Sequence, residues 1–112
     1  MFQSRQPVPT VDVAALPADV YLLDVRERDE WECGHAPGAV HLPLSELAAR
    51  ADEVPRGQEV FVVCKVGARS EQAVRYLNQF GCSTVNVAGG MLAWEAAGRP
   101  IAGGAAGHPF VA

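Results

Sequence analysis

The stretch VFVVCKVGARS, residues 60–70, decides the fold. Its apolar run enters a cysteine without alternating with polar residues, which marks a strand covered on both faces rather than one lying on a solvated sheet. Beyond Cys64, Gly67 allows a turn and a helical period begins at once. Over 69–80, Ala73, Val74, Leu77 and Phe80 fall on one face, and Gly81 stands where a C-terminal cap with positive φ is expected. Similar apolar runs recur as YLLDV at 21–25, AVHLPL at 39–44 and TVNVA at 84–88. A second helix is predicted over 45–53 with Ser45 as its N-cap, and a last one after Gly89-Gly90 through Trp94. Residues 8–16 supply a short strand and one helical turn before Pro17. Strands alternating with helices predict an α/β fold with a central, mostly parallel sheet and helices on both faces.

Length and composition agree with a single domain. A chain of 112 residues buries one core and is crowded as two. Half the residues are apolar and a fifth charged, the balance of a globular protein. The expected layout is an N-terminal tail at 1–7, the domain at 8–101, and a glycine- and alanine-rich, flexible or loosely docked tail at 102–112. A formal charge of −4 argues against nucleic acid or an anionic membrane as partner. No apolar stretch reaches the roughly 20 residues of a membrane helix, and the first residues lack the apolar core of a signal peptide, so the expected location is cytoplasmic. The size and the lack of an apolar surface helix favour a monomer.

Cys33, Cys64 and Cys82 are odd in number and without a CxxC pair, so neither a disulfide framework nor a metal site is suggested. Only Cys64 has the surroundings of a nucleophile. It ends a central strand, where open α/β sheets place their ligands, and it precedes a helix whose N-terminal amides favour an anion. Lys65, the only lysine beside eight arginines, and Arg69 flank the loop. Cations and helix termini lower a cysteine pKa and make the thiolate available. Gly67 lets the amides of Lys65, Val66, Gly67, Ala68 and Arg69 turn toward one anion. The alternative for Cys64 is a small buried hydrophobe at a strand end. Cys33 lies among the acidic Glu30 and Glu32, which would blunt its reactivity, and Cys82 opens an apolar run and reads as a buried structural thiol.

CKVGARS resembles the active-site loop of the single-domain rhodanese-like, or thiosulfate sulfurtransferase, family. Two further segments carry the same resemblance: LLDVRERDEWECGHAPGAVHLP at 22–43 and NVAGGMLAW at 86–94. The resemblance implies a rhodanese-like sheet and a transfer in which Cys64 takes a sulfane sulfur from thiosulfate or a similar anionic donor, holds it as a persulfide, and yields it to a thiol, to cyanide or to a protein acceptor. No cofactor and no metal are implied. The backbone of residues 65–69 would bind the donor, and Asp24, Arg26 and Ser70 would support the loop; an ordinary surface ion pair is the alternative for Asp24 and Arg26. Lys65 departs from the arginine frequent at that position and lacks its planar fork. His35 reads as a residue that fixes its Pro/Gly turn, and Trp31 and Trp94 as core or pocket-wall residues. Two rival readings remain in view. A phosphatase or arsenate reductase would place five residues between cysteine and arginine, whereas Cys64 and Arg69 enclose four. A catalytically silent binding module of the same fold commonly lacks the cysteine.

Overall fold

Five parallel strands form one sheet in the order β1-β5-β4-β2-β3. The computed structural model describes residues 7–104 and 107–112. Strands β1 (Thr10–Asp12), β2 (Tyr21–Asp24), β3 (Val40–His41), β4 (Glu59–Val63) and β5 (Ser83–Ala88) are joined by helices α1 (Arg28–Cys33), α2 (Leu44–Arg50), α3 (Ala68–Gln79) and α4 (Gly90–Ala96), with short 3-10 turns after β1 and α2. All but Pro7 of the tail expected at 1–7, and residues 105–106 of the tail expected at 102–112, lie outside the described residues.

The uninterrupted apolar runs have the predicted cause. Along β4, Val60 and Val62 point to a core shared with Leu47 of α2 and Ala73, Val74 and Leu77 of α3. Phe61 and Val63 point to the opposite face, where they meet Met91 and Trp94 of α4 and Val13 and Leu16 near the amino-terminal end. With both faces covered, no position from Val60 to Val63 is left for a polar residue, and only Glu59 at the strand's start is exposed. This is the α/β architecture with helices on both faces that the pattern predicts.

Three local predictions are corrected. The helix expected from Ser45 starts at Leu44 with Pro43 in the cap position, and the Ser45 hydroxyl instead donates to Glu27 Oε1 at 2.9 Å. The run 39–44 yields only a two-residue strand at the sheet edge: Leu42 and Leu44 N–H still donate to Asp24 O and Val25 O at 3.0 Å, but the chain turns into α2 at Leu44. Helix α1 was not predicted. It has no buried residue for a period to reveal, and it is held by a reciprocal capping box between Glu27 and Glu30.

The end of the chain returns to α1. Ala102 and His35 exchange both backbone hydrogen bonds, the Gly104 N–H donates to Glu32 O at 3.2 Å, and the Phe110 N–H donates to Cys33 O at 3.0 Å. Among the described residues no helix is long and apolar enough to cross a membrane.

Candidate active site around Cys64

The sequence order strand, cysteine, glycine, helix puts Cys64 at the carboxyl end of β4, the central strand of the five, and at the entrance of the 12-residue helix α3. Gly67 caps that helix with φ +118°, a left-handed conformation that side chains rarely adopt. The turn brings the Gly67 N–H to 3.1 Å from Cys64 Sγ. Cys64 is fully buried, so its sulfur meets donors fixed by the backbone instead of bulk water. Burial pushes the thiol pKa up. The Ser70 hydroxyl and the amides of Ser70, Gly67 and Val66 outweigh it and leave the pKa below the ordinary thiol value.

The loop is held from beneath by the Gly89-Gly90 segment. Met91 N–H donates to Cys64 O at 2.8 Å and Leu92 N–H to Lys65 O at 3.0 Å. This approach requires a residue without a side chain: a Cβ on Gly90 would lie within 2.7 Å of the Cys64 and Lys65 backbone. The sequence singled out the Gly-Gly pair as a helix start, but its role as the bed of the loop emerges only when β5 lies beside β4.

Ser70 is buried and its Oγ lies 3.4 Å from Cys64 Sγ, 3.1 Å from Gly67 O and 2.6 Å from Asn86 Oδ1. Asn86, on β5 with 7% of its surface exposed, was not anticipated as a site residue. Its signal was present: it is the one amide in the apolar run TVNVA, and a buried amide must be paired.

The two cations differ from what the sequence suggests. Arg69 turns to Glu30 of α1 and makes a bidentate pair, Nη1 to Oε1 at 2.7 Å and Nη2 to Oε2 at 2.9 Å. The Arg69 hydrogen bonds hold the Glu30 carboxyl down to about 2 against the opposing effect of burial. The sequence offered no reason to pair residues 39 positions apart. Lys65 is half-buried and has no ion pair among the described residues, while Val66 and Ala68 are exposed at the loop surface. The groups that favour the thiolate are thus the amides and the Ser70 hydroxyl.

Asp24 and Arg26 form a fully buried pair at the end of β2, where Asp24 is the register partner of Val63, the last residue of β4. Arg26 donates to Asp24 through its backbone N–H at 3.0 Å and through Nη2 at 2.7 Å, and Nη2 also reaches Gly34 O at 2.8 Å. Arg26 Nη1 is buried without a hydrogen-bond partner among the described residues. The pair fastens the Gly34 turn to the sheet, and no hydrogen bond links it to the Cys64 loop among the described residues. His35 donates from Nδ1 to Trp31 O at 2.8 Å and stacks on the Trp31 ring at 3.6 Å; His41 stacks on the same indole at 4.7 Å. These rings join α1 to β3, and Trp94 is buried in the core. Among the described residues no group of three or more His, Cys, Asp or Glu side chains is placed to hold a metal ion.

Comparison with known proteins agrees with this geometry. The family model described as Rhodanese-like domain matches residues 11–97. A sulfurtransferase of Allochromatium vinosum is 42% identical over 84 residues, covering 74% of this chain and 78% of that protein. The crystal structure of a rhodanese-related protein from Thermoplasma volcanium superposes with a TM-score of 0.72 at 35% identity, covering 74% of this chain and 83% of that one. A thiosulfate sulfurtransferase from Pseudomonas aeruginosa superposes with a TM-score of 0.73 at 27% identity over 87% of this chain, which spans 20% of that larger protein. Strand order, the cysteine loop at the head of α3 and these matches place the chain in the rhodanese-like domain family.

Proposed function

We propose that the protein is a sulfurtransferase that carries a sulfane sulfur as a persulfide on Cys64, taking it from thiosulfate or a similar anionic donor. The observation that carries this reading is the cradle itself: a buried cysteine sulfur whose partners are the amides and hydroxyl of a helix's first turn. Such a site stabilises a sulfur anion without a general base.

In the first step the Cys64 thiolate attacks the outer sulfur of thiosulfate. The new Sγ–S bond forms as the bond to the sulfite sulfur breaks, and its electron pair leaves with sulfite. In the second step a cyanide ion, a small thiolate or a thiol on a protein acceptor attacks the outer sulfur, and the Cys64 thiolate departs. Two electron-pair displacements balance the reaction with no external oxidant or reductant. Full burial of Cys64 favours slender attackers that enter the loop end-on. The reaction belongs in a reducing compartment, and we assign the protein to the cytoplasm on that ground.

Arg69 is engaged by Glu30, so Lys65 is the loop cation left to attract the donor's charged end. Lys65→Ala is expected to raise the KM for thiosulfate about fivefold, the size of one partly exposed charge contact, with a smaller fall in kcat. Steady-state formation of thiocyanate from thiosulfate and cyanide measures both constants. An unchanged KM would remove Lys65 from donor binding, and turnover that survives Cys64→Ser would overturn the proposed function.

A further inference from the structure

From the hydrogen bonding around Ser70 we infer that Asn86 is a positioning residue for the Cys64 sulfur: its side-chain carbonyl competes with the sulfur for the single hydroxyl proton of Ser70.

A serine hydroxyl has one proton to donate, and three acceptors surround this one. Asn86 Oδ1 is nearest at 2.6 Å, Gly67 O lies at 3.1 Å and Cys64 Sγ at 3.4 Å. The orientation of the Asn86 amide follows from its other neighbour. Asn86 Nδ2 faces Gly67 O at 3.5 Å, and a carbonyl can only accept, so the NH2 must lie on that side and Oδ1 must face Ser70. Gly67 O already accepts the Glu71 N–H at 3.1 Å, which leaves Asn86 the stronger claim on the hydroxyl proton. Ser70 then offers a lone pair to the sulfur and accepts from a neutral S–H. When the sulfur carries a negative charge, the hydroxyl must rotate toward it and leave Asn86 Oδ1. Asn86 therefore governs the readiness with which Ser70 supports the anion. Both residues are buried, and the Asn86 backbone is held in β5, its N–H donating to Pro9 O at 2.8 Å, so the competition is built into the sheet.

The charged groups around the site are Lys65 in the loop, Arg69 with Glu30 across from α1, and the Asp24–Arg26 pair closing β2. None contacts Asn86 through a hydrogen bond among the described residues, so substitutions there leave these charges in place.

The test is the pH profile of alkylation by iodoacetamide, read at Cys64 by peptide mass so that Cys33 and Cys82 do not contribute. Asn86→Ala frees the Ser70 proton and is expected to lower the alkylation midpoint by about one pH unit, a tenfold gain in thiolate. Asn86→Leu, which fills the volume without an acceptor, must move it the same way. In a Ser70→Ala background neither substitution should move the midpoint. A midpoint that stays or rises in both single variants, or a shift that persists without Ser70, would overturn the inference. Only the effect on turnover rests on the proposed sulfurtransferase function. Alkylation requires a titrating thiol alone, and sulfur uptake from thiosulfate is read separately, so the two failures are distinguishable.

Discussion

Gly90→Ala is expected to destabilise the fold by about 3 kcal/mol and to speed the alkylation of Cys64, an effect far larger than one methyl group suggests. Gly90 has φ +59°, in the left-handed region, and the added Cβ would come 2.4 Å from Cys64 O and 2.6 Å from Lys65 O. Both contacts are backbone atoms of the loop, which are themselves bonded to the Met91 and Leu92 amides, so no side-chain rotation relieves them. Either α4 retreats from the loop or the loop lifts from α4, and in both cases the cradle around Cys64 loses its bed. Gly38→Ala is the matched control. Gly38 also has positive φ, at +80°, but nothing lies within 4 Å of its Cβ, so only the conformational cost of about 1 kcal/mol remains. Urea denaturation of the two variants measures the difference; a Gly90→Ala variant no less stable than Gly38→Ala would show that the close approach does not constrain the loop.

The second large effect is expected at Asp24. Asp24→Ala leaves the Arg26 guanidinium buried with Gly34 O as its remaining acceptor, and should cost about 3–5 kcal/mol. The cost comes from the stranded charge rather than from the lost attraction. The double variant Asp24→Ala with Arg26→Met should therefore recover much of the loss, because an apolar side chain of similar length has no charge to desolvate. Equilibrium unfolding of the single and double variants checks this. A double variant no more stable than Asp24→Ala would mean that the pair's packing, not its charge, fastens the Gly34 turn.

These two sites mark the boundary of what can be read from the chain. The runs 21–25, 60–64 and 84–88 announce buried parallel strands because both faces of each strand are covered, and 69–80 announces a helix because only one of its faces is covered. Where burial is not periodic the reading fails. Helix α1 exposes most of its surface and is held by a capping box, by the Arg69–Glu30 pair and by the Trp31 stack, all of which depend on tertiary neighbours. The spacing of Asp24 and Arg26 is equally compatible with a surface pair, and only the closure of β2 between β3 and β4 buries them completely.

In the candidate site the same division holds. Cys64, Gly67 and Ser70 adjoin along the chain, and their meeting follows from the strand-to-helix turn. Glu30, Asn86 and Gly90 come from α1, β5 and α4, and reach the loop only through the strand order β5-β4-β2. Their participation alters the electrostatic account. Arg69 and Lys65 flank the cysteine in sequence, yet the hydrogen bonds favouring the thiolate come from backbone amides and Ser70, with Arg69 occupied by a carboxylate. That arrangement suits a sulfur anion held by backbone dipoles that stay fixed, with only the Ser70 hydroxyl turning toward the sulfur as it gains charge.

The proposed function requires that Cys64 carry sulfur. Intact mass spectrometry of the purified protein after incubation with thiosulfate, followed by gel filtration and then by cyanide, tests it most directly. The wild-type chain is expected to gain the mass of one sulfur atom, cyanide to remove it, and Cys64→Ser to gain nothing. A wild-type chain of unchanged mass, or an equal gain in Cys64→Ser, would contradict it.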